Sequence, residues 1–257
     1  MATMEYGLMF DKLKRMIEED PDNVSILEET IDVNLQMKYF RVSVKAKKDL
    51  DADGVLAVKN NLFDESIPVK DKKKLLAQLA SVNKVEAFRT IEQYMQSPDK
   101  ELKAWAVLAL QESRMLIHSV LMDKSPVFIS TGLGGRKNKL RYFVVFVTRN
   151  GEPFSAVQQS LLSGELDFFA KKYQAEVEEV KFSPIYATAS ILIPLRESVK
   201  DFLSAVINNC NELGDFLFPS FMVTNVKRLS NKEILKAINE SINPETEGEE
   251  TLDVNLN

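Results

Sequence analysis

The segment of this 257-residue chain best equipped for chemistry is Ser130-Thr131-Gly132-Leu133-Gly134-Gly135-Arg136-Lys137-Asn138-Lys139. Glycines let a backbone turn its N–H groups towards an anion, and flanking arginine and lysine add charge. Gly134, Gly135, Arg136, Lys137 and Lys139 are therefore the candidate ligand-binding residues, for a small anion such as a phosphate or a nucleotide. The wider stretch from Lys124 to Gly151 holds six bases (Lys124, Arg136, Lys137, Lys139, Arg141, Arg149) and no acid. No GxxxxGK[ST] frame fits, and GxGxxG fails because Lys137 stands where its last glycine belongs. The competing reading is a mobile glycine-rich hairpin loop between a strand at Val127–Thr131 and a strand from Leu140.

Other candidates are weaker. Asp49-Leu50-Asp51-Ala52-Asp53-Gly54 matches the first half of a calcium loop. Its twelfth position is Asn60, where a bidentate glutamate is required. An acidic turn with Asp53 capping the next helix explains it more simply. His118 is the single histidine and Cys210 the single cysteine, so neither a two-histidine metal site nor an internal disulfide exists within one chain. Cys210 falls on an apolar stripe and reads as a buried thiol. No catalytic residue, metal or cofactor follows from these motifs.

The net charge of −5 is uneven, with six acids and no base from Glu240 onward. The body is nearly neutral, which argues against a nucleic-acid partner. No apolar run approaches a membrane span, and the first residues lack the basic and apolar regions of a secretory signal. With one cysteine, a cytoplasmic location is the expectation.

The chain divides by pattern into a mainly helical part over 1–125, an α+β part over 126–241 and a disordered acidic tail over 242–257. Met9, Leu13, Met16 and Ile17 predict a short amphipathic helix ending before Pro21. Residues 31–44 alternate as a strand would (Ile31, Val33, Leu35, Met37, Tyr39). Val33, Met37, Phe40 and Val44 also sit at helical spacing, and the β-branched content tips the reading to strand. Pro68 opens a helix lined by Leu75, Leu76 and Leu79. Asn83 and Glu86 suggest a cap for another, with Val85, Phe88, Ile91 and Met95 as its stripe. Ser97-Pro98-Asp99 reads as the start of a third, running to Met122. The run Ser97-Pro98-Asp99-Lys100-Glu101-Leu102-Lys103-Ala104-Trp105-Ala106-Val107-Leu108-Ala109-Leu110 resembles the start of a HEAT-type α-solenoid repeat. About 70 residues share the likeness, one and a half repeats, and it implies a protein-interaction scaffold.

The second half changes period. A strand at 140–148 ends at Asn150-Gly151, and a helix follows from Pro153 to Tyr173. Strands at 175–182 and 186–193 meet across Ser183-Pro184. Ser198 and Asp201 cap a helix striped by Val199, Phe202, Val206 and Cys210. Phe221–Val226 is a fourth strand, and Ser230 with Glu233 caps a final helix. This β-α-β-β-α-β order is the ferredoxin-like pattern. Such a sheet carries helices on one face only, so its other face needs cover from the helical part or from a second subunit. The expectation is a non-enzymatic binding or adaptor protein that joins a protein partner or forms a homodimer. The alternative is a ligand-sensing or phosphate-binding domain centred on residues 130–139.

Overall fold

The computed structural model describes residues 23–48, 50–124 and 126–242. The expected helix at 9–17 and the tail beyond 242 lie outside the described residues. The chain is α+β, with three hydrophobic cores.

In the helical part, strand β1 (Val24–Ile26) precedes helix α1 (Val33–Lys48). The strand expected at 31–44 is thus corrected to helix. Gln36, Tyr39 and Ser43, spaced at i, i+3 and i+7, turn inward, while Met37, Phe40 and Val44 remain exposed. Tertiary packing of an inward polar stripe overrode the strand propensity. Helix α2 (Ala52–Ala57) is capped by Asp51, whose Oδ1 accepts from the Gly54 N–H at 3.0 Å. Helices α3 (Val69–Ser81), α4 (Val85–Tyr94) and α5 (Lys103–Met122) then pack round Leu76, Leu79, Ile91, Leu102 and Trp105.

Two expected helix starts moved. Lys84, not Asn83, precedes α4, and Glu86 pairs with Lys59 instead of closing a cap. Val85 is exposed, and Ala87, Thr90, Ile91 and Tyr94 form the buried face. Helix α5 starts at Lys103 because Asp99 is engaged elsewhere: its Oδ2 accepts from the Lys72 ammonium and the Tyr94 hydroxyl, both at 2.8 Å. Lys72 is otherwise buried, so this carboxylate neutralises an ammonium held out of water.

The second part has the ferredoxin-like order. Strand β4 (Lys139–Thr148) leads to helix α6 (Ala156–Lys172), whose Ser155 and Gln158 form a reciprocal capping box. Strands β5 (Glu176–Phe182) and β6 (Tyr186–Pro194) follow, then helix α7 (Val199–Gly214), capped by Ser198, strand β7 (Leu217–Thr224) and helix α8 (Asn231–Ile242). The sheet runs β7-β4-β6-β5 with every pair antiparallel. Helices α6 and α7 bury Phe169, Phe202, Val206 and Cys210 against Val144, Phe146, Ala189 and Ile191. The opposite face is covered from within the chain: α8 sets Ile234 and Ile238 against Phe143, Val145 and Tyr186. The cover expected from the helical part or a second subunit is supplied by this last helix.

Strand β2 (Val127–Ile129) does not form the expected hairpin with β4. It pairs in parallel with β1, Val24 opposite Val127 and Ile26 opposite Ile129. The hairpin partner of β4 is the short β3 (Gly135–Arg136). Residues 130–135 thereby join the two parts, and the reading of a mobile loop gives way to a packed joint. The Leu133 side chain is buried and its carbonyl accepts from Thr30 Oγ1 (3.1 Å) and Arg141 Nη1 (2.7 Å). Its N–H donates to the Asn225 carbonyl at 2.9 Å. A Cβ on Gly132 would come within 1.7 Å of the Val226 carbonyl oxygen, and one on Gly134, at φ +69°, within 2.4 Å of the Glu28 oxygen.

Two glycine substitutions should separate this joint from an ordinary helix position. Gly132→Ala forces backbone apart at a site that cannot yield and should cost on the order of 2–4 kcal/mol. Gly164→Ala, inside α6 with nothing within 4 Å, should stabilise by about 0.5–1 kcal/mol. Urea unfolding of both variants measures the contrast.

Candidate functional site

Two basic residues of the glycine segment form ion pairs within the chain. Arg136 and Lys139 both pair with Glu176, Lys139 at 2.6 Å. Arg141 grips Glu178 through two nitrogens, at 2.6 and 3.0 Å. Hydrogen bonds from these bases hold the Glu176 and Glu178 carboxyls below the usual glutamate range. The Lys137 N–H, which an anion would need, donates to Glu28 Oε1 at 3.2 Å. Gly134 and Gly135 press against the backbone at Glu28 and Lys139. Acids from β5 and from the turn after β1 therefore meet Arg136, Lys139 and the Lys137 N–H at the places where an anion was expected. Lys137 and Asn138 do line a cleft of about 290 Å³, but Glu28 and Glu29 line it too.

The described acids of the calcium-like motif serve other partners. Asp49 is outside the described residues, Asp51 caps α2, and Asp53 pairs with Lys84 at 2.6 Å. Among the described residues no cluster of three histidine, cysteine or acidic side chains could hold a metal. His118 lies on α5 with no second histidine. Cys210 is buried, and burial pushes its thiol up to about 12, which makes it a poor nucleophile.

Two concave sites remain, and neither was singled out from sequence. The first is a groove of about 350 Å³ between α1 and α5, walled by Phe40, Val44, Met115, Leu116 and Phe128. On its floor, Glu112 Oε2 accepts from the Tyr39 hydroxyl and Oε1 from the Ser43 hydroxyl, both at 2.5 Å. The Lys47 ammonium closes the set at 2.7 Å. Burial first, then the nearby carboxylate, raises the Tyr39 hydroxyl well above its ordinary range. Both carboxylate oxygens are satisfied, so the network ties α1 to α5.

The second is a cavity of about 460 Å³ at the end of β4, bounded by Val147, Phe218, Phe221, Met222 and Ile238. Its origin is a register shift. Phe146 pairs with Phe221 and Thr148 with Leu217, so Val147 alone faces Phe218, Pro219 and Ser220. The surplus residues bow β7 away from β4, and Pro219, which has no N–H for the ladder, sits in the bow. Helix α8 roofs the opening with Ile238. Three polar residues converge there: Arg149, Asn150 and Ser220. Arg149 is steered by Asp215, whose Oδ1 lies 2.5 Å from Nη1, and its side chain stays 37% exposed. The Asn150 amide and the Ser220 hydroxyl have no hydrogen-bond partner among the described residues.

No protein-family model matches the chain, and no curated protein matches it. Solved structures with partial similarity include a putative transposase from Deinococcus radiodurans R1, at 18% identity and TM-score 0.35, over 40% of this chain and 90% of that one. Another is a REP-associated tyrosine transposase bound to a REP hairpin, at 13% identity and TM-score 0.31, over 40% and 66%. Their names are those of transposases, not of adaptors, and the expectation of a non-enzymatic adaptor is corrected on that finding. Likeness at this level passes no activity to this chain. Among the described residues no helix is long and apolar enough to cross a membrane.

The Glu112 network should weigh heavily in stability. Glu112→Ala leaves the buried Tyr39 and Ser43 hydroxyls unpaired and should cost roughly 3 kcal/mol. Lys47→Ala removes a partner that is 54% exposed and should cost less than about 1 kcal/mol. Denaturant midpoints of the two variants give the comparison.

Proposed function

We propose that this protein binds a small amphiphilic molecule, an apolar body with an anionic or hydrogen-bonding head, in the cavity at the end of β4. The observation that carries this reading is the bow in β7. It opens an apolar space at the β4–β7 pairing, and it does so beside three polar residues with hydrogen-bonding capacity to spare. A binding site commonly has this form: a largely apolar concavity of some 300–1,000 Å³ with a few polar groups that orient the ligand. Val147, Phe218, Phe221, Met222 and Ile238 would hold the body. The free nitrogens of Arg149, the Asn150 amide and the Ser220 hydroxyl would read the head. The Asp215 contact leaves the guanidinium oriented before a ligand arrives, which lowers the ordering cost of binding.

Decanoate and 8-anilinonaphthalene-1-sulfonate carry this chemistry and serve as probes. Saturating decanoate should raise the melting temperature; at a hundredfold excess over Kd the gain is about 2.7 kcal/mol. Ser220→Trp, which fills the mouth from an exposed position, should remove the shift. Arg149→Met should weaken decanoate more than it weakens decanol. Absence of a saturable shift with both probes, or a shift untouched by Ser220→Trp, would overturn the reading.

A further inference from the structure

The chain holds a single Asn-Gly pair, Asn150-Gly151, and both residues line the β4 cavity. They follow strand β4 in an exposed turn. The backbone is anchored on either side of them. The Arg149 N–H donates to the Phe216 carbonyl at 2.8 Å, and the Phe154 N–H donates to the Pro184 carbonyl at 2.9 Å. Among the described residues no bond of that kind holds the Gly151 N–H, and the Asn150 side-chain amide has no partner. Gly151 lies in the left-handed region, at φ +67°, and a Cβ there would meet nothing within 4 Å. A nucleophilic nitrogen and an electrophilic amide carbon are thus neighbours in sequence, and neither is tied down or shielded.

This is the setting for intramolecular attack on an amide, the reaction that makes asparagine a thermolabile residue. The Gly151 nitrogen, after giving its proton to hydroxide, adds to Cγ of Asn150. The side-chain nitrogen takes a proton from water and leaves as ammonia, and a five-membered succinimide closes. Water then opens the ring at either carbonyl and leaves an aspartate or an isoaspartate. Nothing is oxidised or reduced: one water enters and one ammonia departs. A side chain on the following residue crowds the approach, and a β-branched one crowds it most. Other asparagines are placed differently. Asn225 precedes Val226, whose N–H donates to Thr224 Oγ1 at 3.1 Å. Asn209 lies within helix α7, where the next N–H belongs to the helical ladder, and its own amide donates to Glu165 at 2.7 Å. We infer that Asn150 is a site of spontaneous deamidation, and that the product sets a new carboxylate on the wall of the β4 cavity.

Arg149 lines the same cavity and already pairs with Asp215. A second carboxylate there competes for the guanidinium and opposes an anionic head. This consequence rests on the ligand reading given above. The modification turns a cavity that accepts an amphiphilic acid into one that refuses it, while an uncharged head keeps its place.

The test incubates the folded full-length chain in heavy-oxygen water at mildly alkaline pH, then digests it in ordinary water for mass spectrometry. The peptide with Asn150 should change from amide to acid and carry one heavy oxygen. It should do so faster than at mildly acid pH, because the attacking nitrogen must lose its proton. The peptides with Asn209 and Asn225 should stay unlabelled, and Gly151→Ala should slow the conversion. An Asn150 peptide that stays unlabelled, or label that enters Asn209 or Asn225 as fast, sinks the proposal. Asn150→Asp supplies the charge at once. It should bind decanoate about tenfold more weakly than the parent and decanol equally well. Decanoate held as tightly by Asn150→Asp as by the parent would overturn the consequence for the ligand. Labelling of Asn150 in a parent that binds neither probe would uphold the modification and count against the cavity reading alone.

Discussion

The close approach of backbone to backbone at Gly132 and Gly134 is the constraint on which the arrangement of the chain rests. Val226 presses on one glycine and Glu28 on the other, at distances that leave no room for a side chain. The Leu133 carbonyl between them accepts from Thr30 on the helical side and Arg141 on the sheet side. With its N–H on the Asn225 carbonyl, Leu133 thus ties together three segments far apart in sequence. The parallel pairing of β1 with β2 and the course of β4 both leave from this point. With the joint set, the charged edge at Glu176 and Glu178 comes within reach of Arg136, Lys139 and Arg141.

What could be read in the sequence followed from local rules. The order of strands and helices from Lys139 onward was legible because each element carries its own period and its own cap, as at Ser198 and Ser230. Helix α1 was not legible. It buries Gln36, Tyr39 and Ser43 and leaves Met37, Phe40 and Val44 outside, so hydrophobicity pointed the wrong way. The carboxylate of Glu112, 69 residues from Ser43, takes the Tyr39 and Ser43 hydroxyls, and the Ile31 and Thr131 carbonyls take the Gln36 amide, which explains why polar side chains face in.

The setting of the candidate residues was hidden for the same reason. Arg136 looks like an anion ligand as long as Glu176, 40 positions on, is out of view. Arg136, Lys139 and Arg141 find their acids once β5 lies beside β6 and Glu176 and Glu178 reach across the sheet. The β4 cavity had no local signal at all. It depends on how many residues of β7 face one residue of β4, a property of pairing that neither strand carries alone. Pro219 is the nearest thing to a hint, since a proline in a strand marks an edge or a bulge.

The pairing of β1 with β2 also bears on how the chain reaches this state. Helices α3, α4 and α5 gain most of their contacts from near neighbours along the chain and can form early. The joint closes a loop of about a hundred residues, Thr30 to Leu133 lying 103 apart, and that loop carries an entropic cost until both ends meet. A ribosome must release the chain through Val226 before the glycine at 132 has its opposing carbonyl. The helical part therefore waits on the sheet for its final geometry, and local opening of the native protein would start at this seam, where few side chains and many backbone groups hold the parts together.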